Sequence, residues 1–223
     1  MKAIAISGSS RMNGNTKMLM DRCLGVLEKE GIEITLVQMA EKRVEPCAAC
    51  GGCFRTRDKQ CAIKDDDFHE IFAQMLEADI IVVGSPVYFG SATPQLMSLL
   101  DRAGYVGRAN ESPFSRKIGG PIVVARRAGQ NFTYAQLLFW YMINDMVVPG
   151  STYWNIGFGR AIGDIQADEE AILTVERFGQ AVNSLLLVTA EGEHARDIVQ
   201  HLGSGPADQL GTGRRGSCVL EFT

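Results

Sequence analysis

Cys47, Cys50, Cys53 and Cys61 fall within fifteen residues as CxxCxxCx7C. Thiolates ligate soft metal centres, and the two xx gaps let one tight loop turn three sulfurs inward. The excursion from Phe54 to Gln60 then brings the chain back with a fourth. This spacing suits a [4Fe-4S] cubane. Zinc also accepts four thiolates, but zinc ribbons set two CxxC knuckles roughly fifteen to twenty residues apart. Here three cysteines share one knuckle. Zinc, free thiols and a CxxC redox pair stand as the alternatives. Cys23 lies on the apolar side of a predicted helix and reads as a small core residue, whereas Cys218, in the C-terminal tail, has no evident partner.

Three other stretches carry ligand chemistry. Gly8 to Thr16 (GSSRMNGNT) combines hydroxyls, amides and glycines between a predicted strand and a predicted helix, the makings of an anion cradle of backbone N–H groups. It is not a dinucleotide GxGxxG. Nor is it a Walker A loop, because five residues separate its glycines and Asn15-Thr16 stand where a lysine is needed. Such a loop suits a phosphate monoester, the alternative being a plain strand-to-helix turn. Ser85 to Ser91 places Val87, Tyr88 and Phe89 between Pro86 and Gly90, an arrangement able to hold a flat, partly apolar ring while backbone groups reach its polar edge. Ala125 to Asn131 brings Arg126 and Arg127 to the same rim, followed by Gly129, and a cation there favours an anionic ring or receives a phosphate. Taken singly, the aromatics could pack on a neighbouring helix and the arginines could be solvated.

The elements that must position these loops alternate strand and helix. Lys2 to Ser7 reads as a buried strand, Thr16 to Glu30 as an amphipathic helix and Glu33 to Gln38 as a second strand. After the cysteine loop, Asp65, Asp66 and Asp67 precede a helix from about Phe68 to Glu77 and read as its cap and dipole complement; His69 in its first turn reads as solvent-facing. Asp79 to Gly84 (DIIVVG) shows almost no polar alternation, the mark of a strand buried on both faces of a parallel sheet. A helix over Gln95 to Gly104, a strand within Lys117 to Arg126, a helix over Thr133 to Asp145, a fifth strand over Met146 to Tyr153 and a long helix over Asp168 to Val188 complete the series. The expected fold is an α/β doubly wound five-stranded parallel sheet with helices on both faces, so ligands belong at the carboxyl ends of its strands. Residues 1–190 form the expected domain, with the cysteine loop at 47–61 inside it; residues 191–223 carry a short helix near His194 to Leu202 and a glycine-punctuated tail.

With 223 residues, 46% hydrophobic and 22% charged, the chain can bury a full core. A net charge of −4 without a Lys/Arg run argues against nucleic acid or an anionic membrane as partner. No signal-like N-terminus and no span-length apolar run point to the cytoplasm, where six cysteines suggest metal or redox chemistry over disulfides.

The ordered set GSSRMNGNT, PCAACGGCF with Cys61 before Asp65-Asp66, GSPVYFGSATPQLMSLLDR, ARRAGQN and VVPGSTYWN resembles the iron-sulfur flavoprotein group of the flavodoxin-like NAD(P)H-dependent FMN reductase superfamily, over about residues 1 to 190. The resemblance implies a flavodoxin-like fold and an FMN-dependent oxidoreductase without a catalytic acid or base from the protein. It implies that Ser9, Arg11, Asn13, Asn15 and Thr16 cradle the FMN phosphate, that Pro86, Val87, Tyr88, Phe89 and Gly90 with Arg126, Arg127 and Gly129 border the isoalloxazine, and that Cys47, Cys50, Cys53 and Cys61 ligate a [4Fe-4S] cluster. Exposed clusters of this class are lost in air, so aerobic protein can present four empty thiols. The implied redox partner is NAD(P)H or a ferredoxin, and the implied assembly a homodimer or homotetramer, for which the apolar helix Tyr134 to Ile143 offers a surface. Two alternatives follow: a cluster-free NAD(P)H-dependent FMN or quinone reductase, and a redox-sensing binding module.

Overall fold

The computed structural model describes residues 1–190, with side chains through residue 186. Five parallel strands, β1 (Lys2–Ser7), β2 (Glu33–Gln38), β3 (Ile80–Pro86), β4 (Ile118–Ala125) and β5 (Ile156–Phe158), lie in the order β2-β1-β3-β4-β5. This is the flavodoxin-like doubly wound order. Six helices join them: α1 (Asn15–Lys29), α2 (Gly52–Thr56), α3 (Phe68–Glu77), α4 (Pro94–Ala109), α5 (Gln130–Ile143) and α6 (Glu169–Ala190). The short helix expected near His194 to Leu202, the tail and Cys218 lie outside the described residues. No helix among the described residues is long and apolar enough to cross a membrane.

Side chains alternate across a strand, so β1 sends Ile4 and Ile6 to one face and Ala3 and Ala5 to the other. The first pair joins Ile81, Val83 and Val123 in a core closed by Phe68, Ile71 and Phe72 of α3, Leu96, Leu99 and Leu100 of α4, and Leu137, Trp140 and Tyr141 of α5. On the opposite face α1 and α6 come down close enough that strand side chains must be small. A Cβ on Gly84 would stand 2.0 Å from the Met20 sulfur, and one on Gly120 would stand 2.9 Å from the Phe178 ring. Tyr141 reaches through the first core to donate to the Ile81 carbonyl at 3.1 Å, and the Trp140 indole donates to Leu100 at 2.8 Å, so the polar ends of both aromatics are satisfied.

One expected strand is misplaced. Met146 to Tyr153 forms no strand; Val147 alone bridges Ile118, and the fifth strand is Ile156–Phe158, paired with Val123 to Ala125. Pro149 has no N–H to give a ladder, so the run that begins at Val147 breaks there. The chain rejoins the edge at Asn155, whose carbonyl accepts the Val123 N–H at 2.9 Å and whose amide donates to Pro121.

Candidate functional site

Loops at the carboxyl ends of β1, β3 and β4 meet at one edge of the sheet. The Gly8 N–H donates to the Gly84 carbonyl at 2.7 Å, and the buried Thr93 hydroxyl at the start of α4 donates to the Gly8 carbonyl at 2.8 Å. Ser10 and Tyr88 share a 2.6 Å hydroxyl hydrogen bond between the first and second loops. The second loop is a tight hairpin in which Tyr88 and Ser91 exchange backbone bonds across Phe89 and Gly90, both at positive φ, which leaves the Phe89 ring fully exposed at the tip. The Gln136 side chain of α5 accepts from the Ala92 N–H at 2.9 Å and from the Ser91 hydroxyl at 3.0 Å, fixing the hairpin's return. The third loop closes on the second at Gly129. There φ is 91°, and a Cβ would stand 2.8 Å from Val87 and 3.1 Å from Gly90.

Within the first loop, Ser9 accepts the Arg11 N–H at 3.1 Å, and Gly14 donates to the Arg11 carbonyl at 3.2 Å. α1 then begins with no capping side chain and no acid in its first turn, so its first N–H groups and its positive dipole end are open to an anion. Ser9 and Thr16 are buried at this turn, whereas Arg11 and Asn13 are exposed. Asn15 is placed otherwise: its amide donates to the Ala161 carbonyl at 2.7 Å and accepts from the Gly163 N–H at 2.8 Å, pinning the loop after β5 against α1. Arg126 and Arg127 are exposed and form no ion pair among the described residues. An open cradle beside a hairpin of aromatics fits a flavin mononucleotide in its donor chemistry. A cavity of about 480 Å³ lies elsewhere, lined by Met18, Asp21, Arg22 and Gln166 among others, and shares no residue with the three loops.

The cysteine loop is a closed excursion with its own stem. Arg43 and Asp67 exchange N–H bonds at 2.7 and 2.9 Å, and the Glu45 N–H donates to the Asp66 carboxylate at 2.9 Å. Between these ends Ala49 takes a left-handed backbone and its N–H points at the Cys47 sulfur, 3.4 Å away. Cys53, on α2, and Cys61 are partly buried against the core, Cys47 is half-buried and Cys50 is exposed. Burial pushes the Cys53 thiol up, and the neighbouring Cys47 and Cys61 push the same way, against backbone N–H groups that lower it. The donor set is that of a thiolate-held cluster, yet among the described residues no three Cys, His, Asp or Glu side chains are gathered into a metal-sized group.

Around this loop His69, Asp66, Asp67 and Arg102 take roles that the sequence pattern does not indicate. His69 is partly buried, not solvent-facing; burial, with the Lys64 and Arg102 charges, holds its imidazole below the ordinary value, and its Nε2 accepts the Cys61 N–H at 3.1 Å. Of the three acids, Asp66 does accept the Phe68 N–H at 3.2 Å, but its carboxylate chiefly pairs with the buried Arg102, and Asp67 gives no side-chain cap. Arg102 also donates to the Glu45 and Ile63 carbonyls, each at 3.1 Å, and lies 4.1 Å over the Phe68 ring. A signal for it was present, since Arg102 interrupts the apolar stripe of Leu99 and Val106.

Residues 1–161 match the NADPH-dependent FMN reductases. An iron-sulfur flavoprotein of Methanocaldococcus jannaschii is 37% identical over 191 residues, spanning 82% of this chain and 95% of that protein. The chain belongs to the iron-sulfur flavoprotein group of the FMN reductase family. A second iron-sulfur flavoprotein, from Methanosarcina thermophila, is 36% identical over 152 residues, 67% of this chain and 78% of that one. In fold, this family member is similar to RosB, solved with a bound 8-demethyl-8-formylriboflavin-5'-phosphate intermediate, with a TM-score of 0.66 at 19% identity over 100% of this chain and 94% of RosB. It is also similar to a WrbA-like flavodoxin protein of Agrobacterium tumefaciens, with a TM-score of 0.53 at 14% identity over 82% and 97% of the two chains. As a member of the FMN reductase family, the chain is an FMN-dependent oxidoreductase.

Proposed function

We propose that this oxidoreductase couples FMN, held by the loops after β1, β3 and β4, to a [4Fe-4S] cluster held by Cys47, Cys50, Cys53 and Cys61. The observation that carries the reading is the presence of four thiols in a single stem-closed loop that is bonded to α4, the helix whose preceding residue, Thr93, also anchors the β1 loop. When bound, FMN takes up electrons in pairs or singly and a cubane carries one, so together they connect two-electron and one-electron partners.

The protein's own residues bind and orient. Ser9, Thr16 and the first N–H groups of α1 would receive the phosphate, with Arg11 and Asn13 at the exposed mouth. Asn15 secures the loop after β5 behind them. Pro86 to Gly90 would border the ring, and the Ser10–Tyr88 bond holds their hairpin to the first loop. Arg126 and Arg127 bring positive charge to the rim, which favours an anionic ring. Gly129 lets the third loop close on the second. No side chain at this edge is assigned a proton to give or take.

A nicotinamide cofactor is the electron donor suited to the family, and a ferredoxin is the one-electron partner suited to the cluster. The strip Phe132, Phe139, Met142 and Ile143 on α5 supports a homodimer or homotetramer. The cluster-free reductase has one observation in its favour, the ungathered sulfurs. Reductive titration without oxygen separates the two readings. Protein carrying both centres takes up about three electrons per chain, flavin alone about two. Flavin released by denaturation is expected to be FMN; recovery of FAD would overturn the assignment of the phosphate loop.

A further inference from the structure

We propose that Arg102 is the positioning residue of the cysteine loop, its guanidinium gripping both ends of the loop at once and fixing it along α4 relative to the flavin loops. The inference rests on the reading of the four cysteines as cluster ligands, and it concerns what holds them in place. One guanidinium nitrogen donates to Glu45, two residues before Cys47, and the other donates to Ile63, two residues after Cys61. Both reach the Asp66 carboxylate, which in turn accepts the Glu45 N–H. The loop's entry and exit are thus closed on a single buried side chain.

Stability alone is a poor account of this arrangement. A buried ion pair is often matched by a well-packed apolar pair of similar volume. What the planar fork adds is direction, since it addresses acceptors on two sides of the loop in one geometry, which an ammonium cannot do. The location matters as much as the grip. α4 begins at Pro94, next to Thr93, whose N–H donates to Ser85 and whose hydroxyl donates to Gly8. Nine residues of helix, about 14 Å of rise, separate that anchor from Arg102. A second attachment, the Lys59 N–H to the Asn110 side chain at 3.0 Å, fixes the outer part of the loop near the far end of the same helix. α4 is therefore a strut with the flavin loops at one end and the cysteine loop along the rest.

Two variants test this, Arg102→Lys and the double change Arg102→Met with Asp66→Asn, which leaves no unpaired buried charge. Hydrogen exchange of residues 43–68 is read in iron-free, FMN-loaded protein, and iron retention against a chelator is read in protein prepared without oxygen. In the double variant, exchange across 43–68 is expected to rise about tenfold and iron retention to fall on the order of tenfold or more, with FMN content unchanged. Arg102→Lys, which keeps the charge but not the fork, is expected to fall between. If Arg102 only neutralises Asp66, both variants exchange at the wild-type rate and keep wild-type iron, which overturns the proposal. Should the double variant fail to fold, Arg102→Lys decides by the same two readouts. A wild type without iron would end the cluster reading, while the exchange comparison would still judge the grip.

Discussion

The Asp66 carboxylate is wholly buried, and four donors converge on it or its neighbour atoms: the Arg102 fork and the N–H groups of Glu45 and Phe68. Burial by itself pushes this carboxyl up, but the Arg102 hydrogen bond, the two backbone donors and the Arg102 charge bring it below the ordinary carboxylate value. Removing one partner of such a pair leaves the other charged and uncompensated, so Asp66→Ala is expected to cost about 3–5 kcal/mol in urea unfolding. The pH dependence follows from the depressed value. The stability Asp66 contributes is fully present above its unfolded value of about 3.9 and is lost as pH falls through the lower folded one. The gap in urea midpoint between wild type and Asp66→Asn should therefore be fully open above about pH 5, begin to narrow near about pH 4 and close only as the pH falls through the lower folded value. A gap that persists unchanged in acid would show that the charge of Asp66 is not what stabilises the stem.

Among the elements, the regular strands and helices were legible because their patterns are local: the unbroken apolar run IIVV after Asp79 became the start of β3, and the spacing of Leu19, Cys23 and Leu27 became the buried stripe of α1. The fifth strand was not, because Val147 and Ile156 both edge β4; Pro149 interrupts the first run, but only the pairing with Val123 to Ala125 makes the second one the ladder. The partnerships among the loops were not legible. Nothing local in GSSRMNGNT says that Asn15 turns to Ala161 and Gly163, or that Ser10 meets Tyr88, 78 residues on. Those pairings depend on the doubly wound order bringing separate strand ends to one edge. Gly129 is where the second and third loops touch, so its substitution tests that edge. Gly129→Ala meets both a positive φ, worth about 1–2 kcal/mol, and the Val87 methyl, and it is expected to weaken FMN binding about tenfold with the fold retained. Unchanged affinity by fluorescence titration would place the ring away from these loops.

For the whole molecule, α5 buries Leu137, Trp140 and Tyr141 and leaves Phe132, Phe139, Met142 and Ile143 between 61 and 68% exposed. That much apolar surface on one helix is unusual for a monomer, so Phe139→Glu together with Leu138→Glu should shift the sedimentation profile toward monomer. An unaltered oligomer would place the interface elsewhere. The proposed coupling of FMN to a cluster depends most on the cysteine loop. Iron and acid-labile sulfide, assayed in protein made and kept without oxygen and followed by low-temperature paramagnetic resonance after reduction, address it directly. About four irons per chain with a reducible signal are expected alongside bound FMN. Stoichiometric zinc, or FMN with no metal under those conditions, would contradict the cluster and leave a flavin reductase with four free thiols.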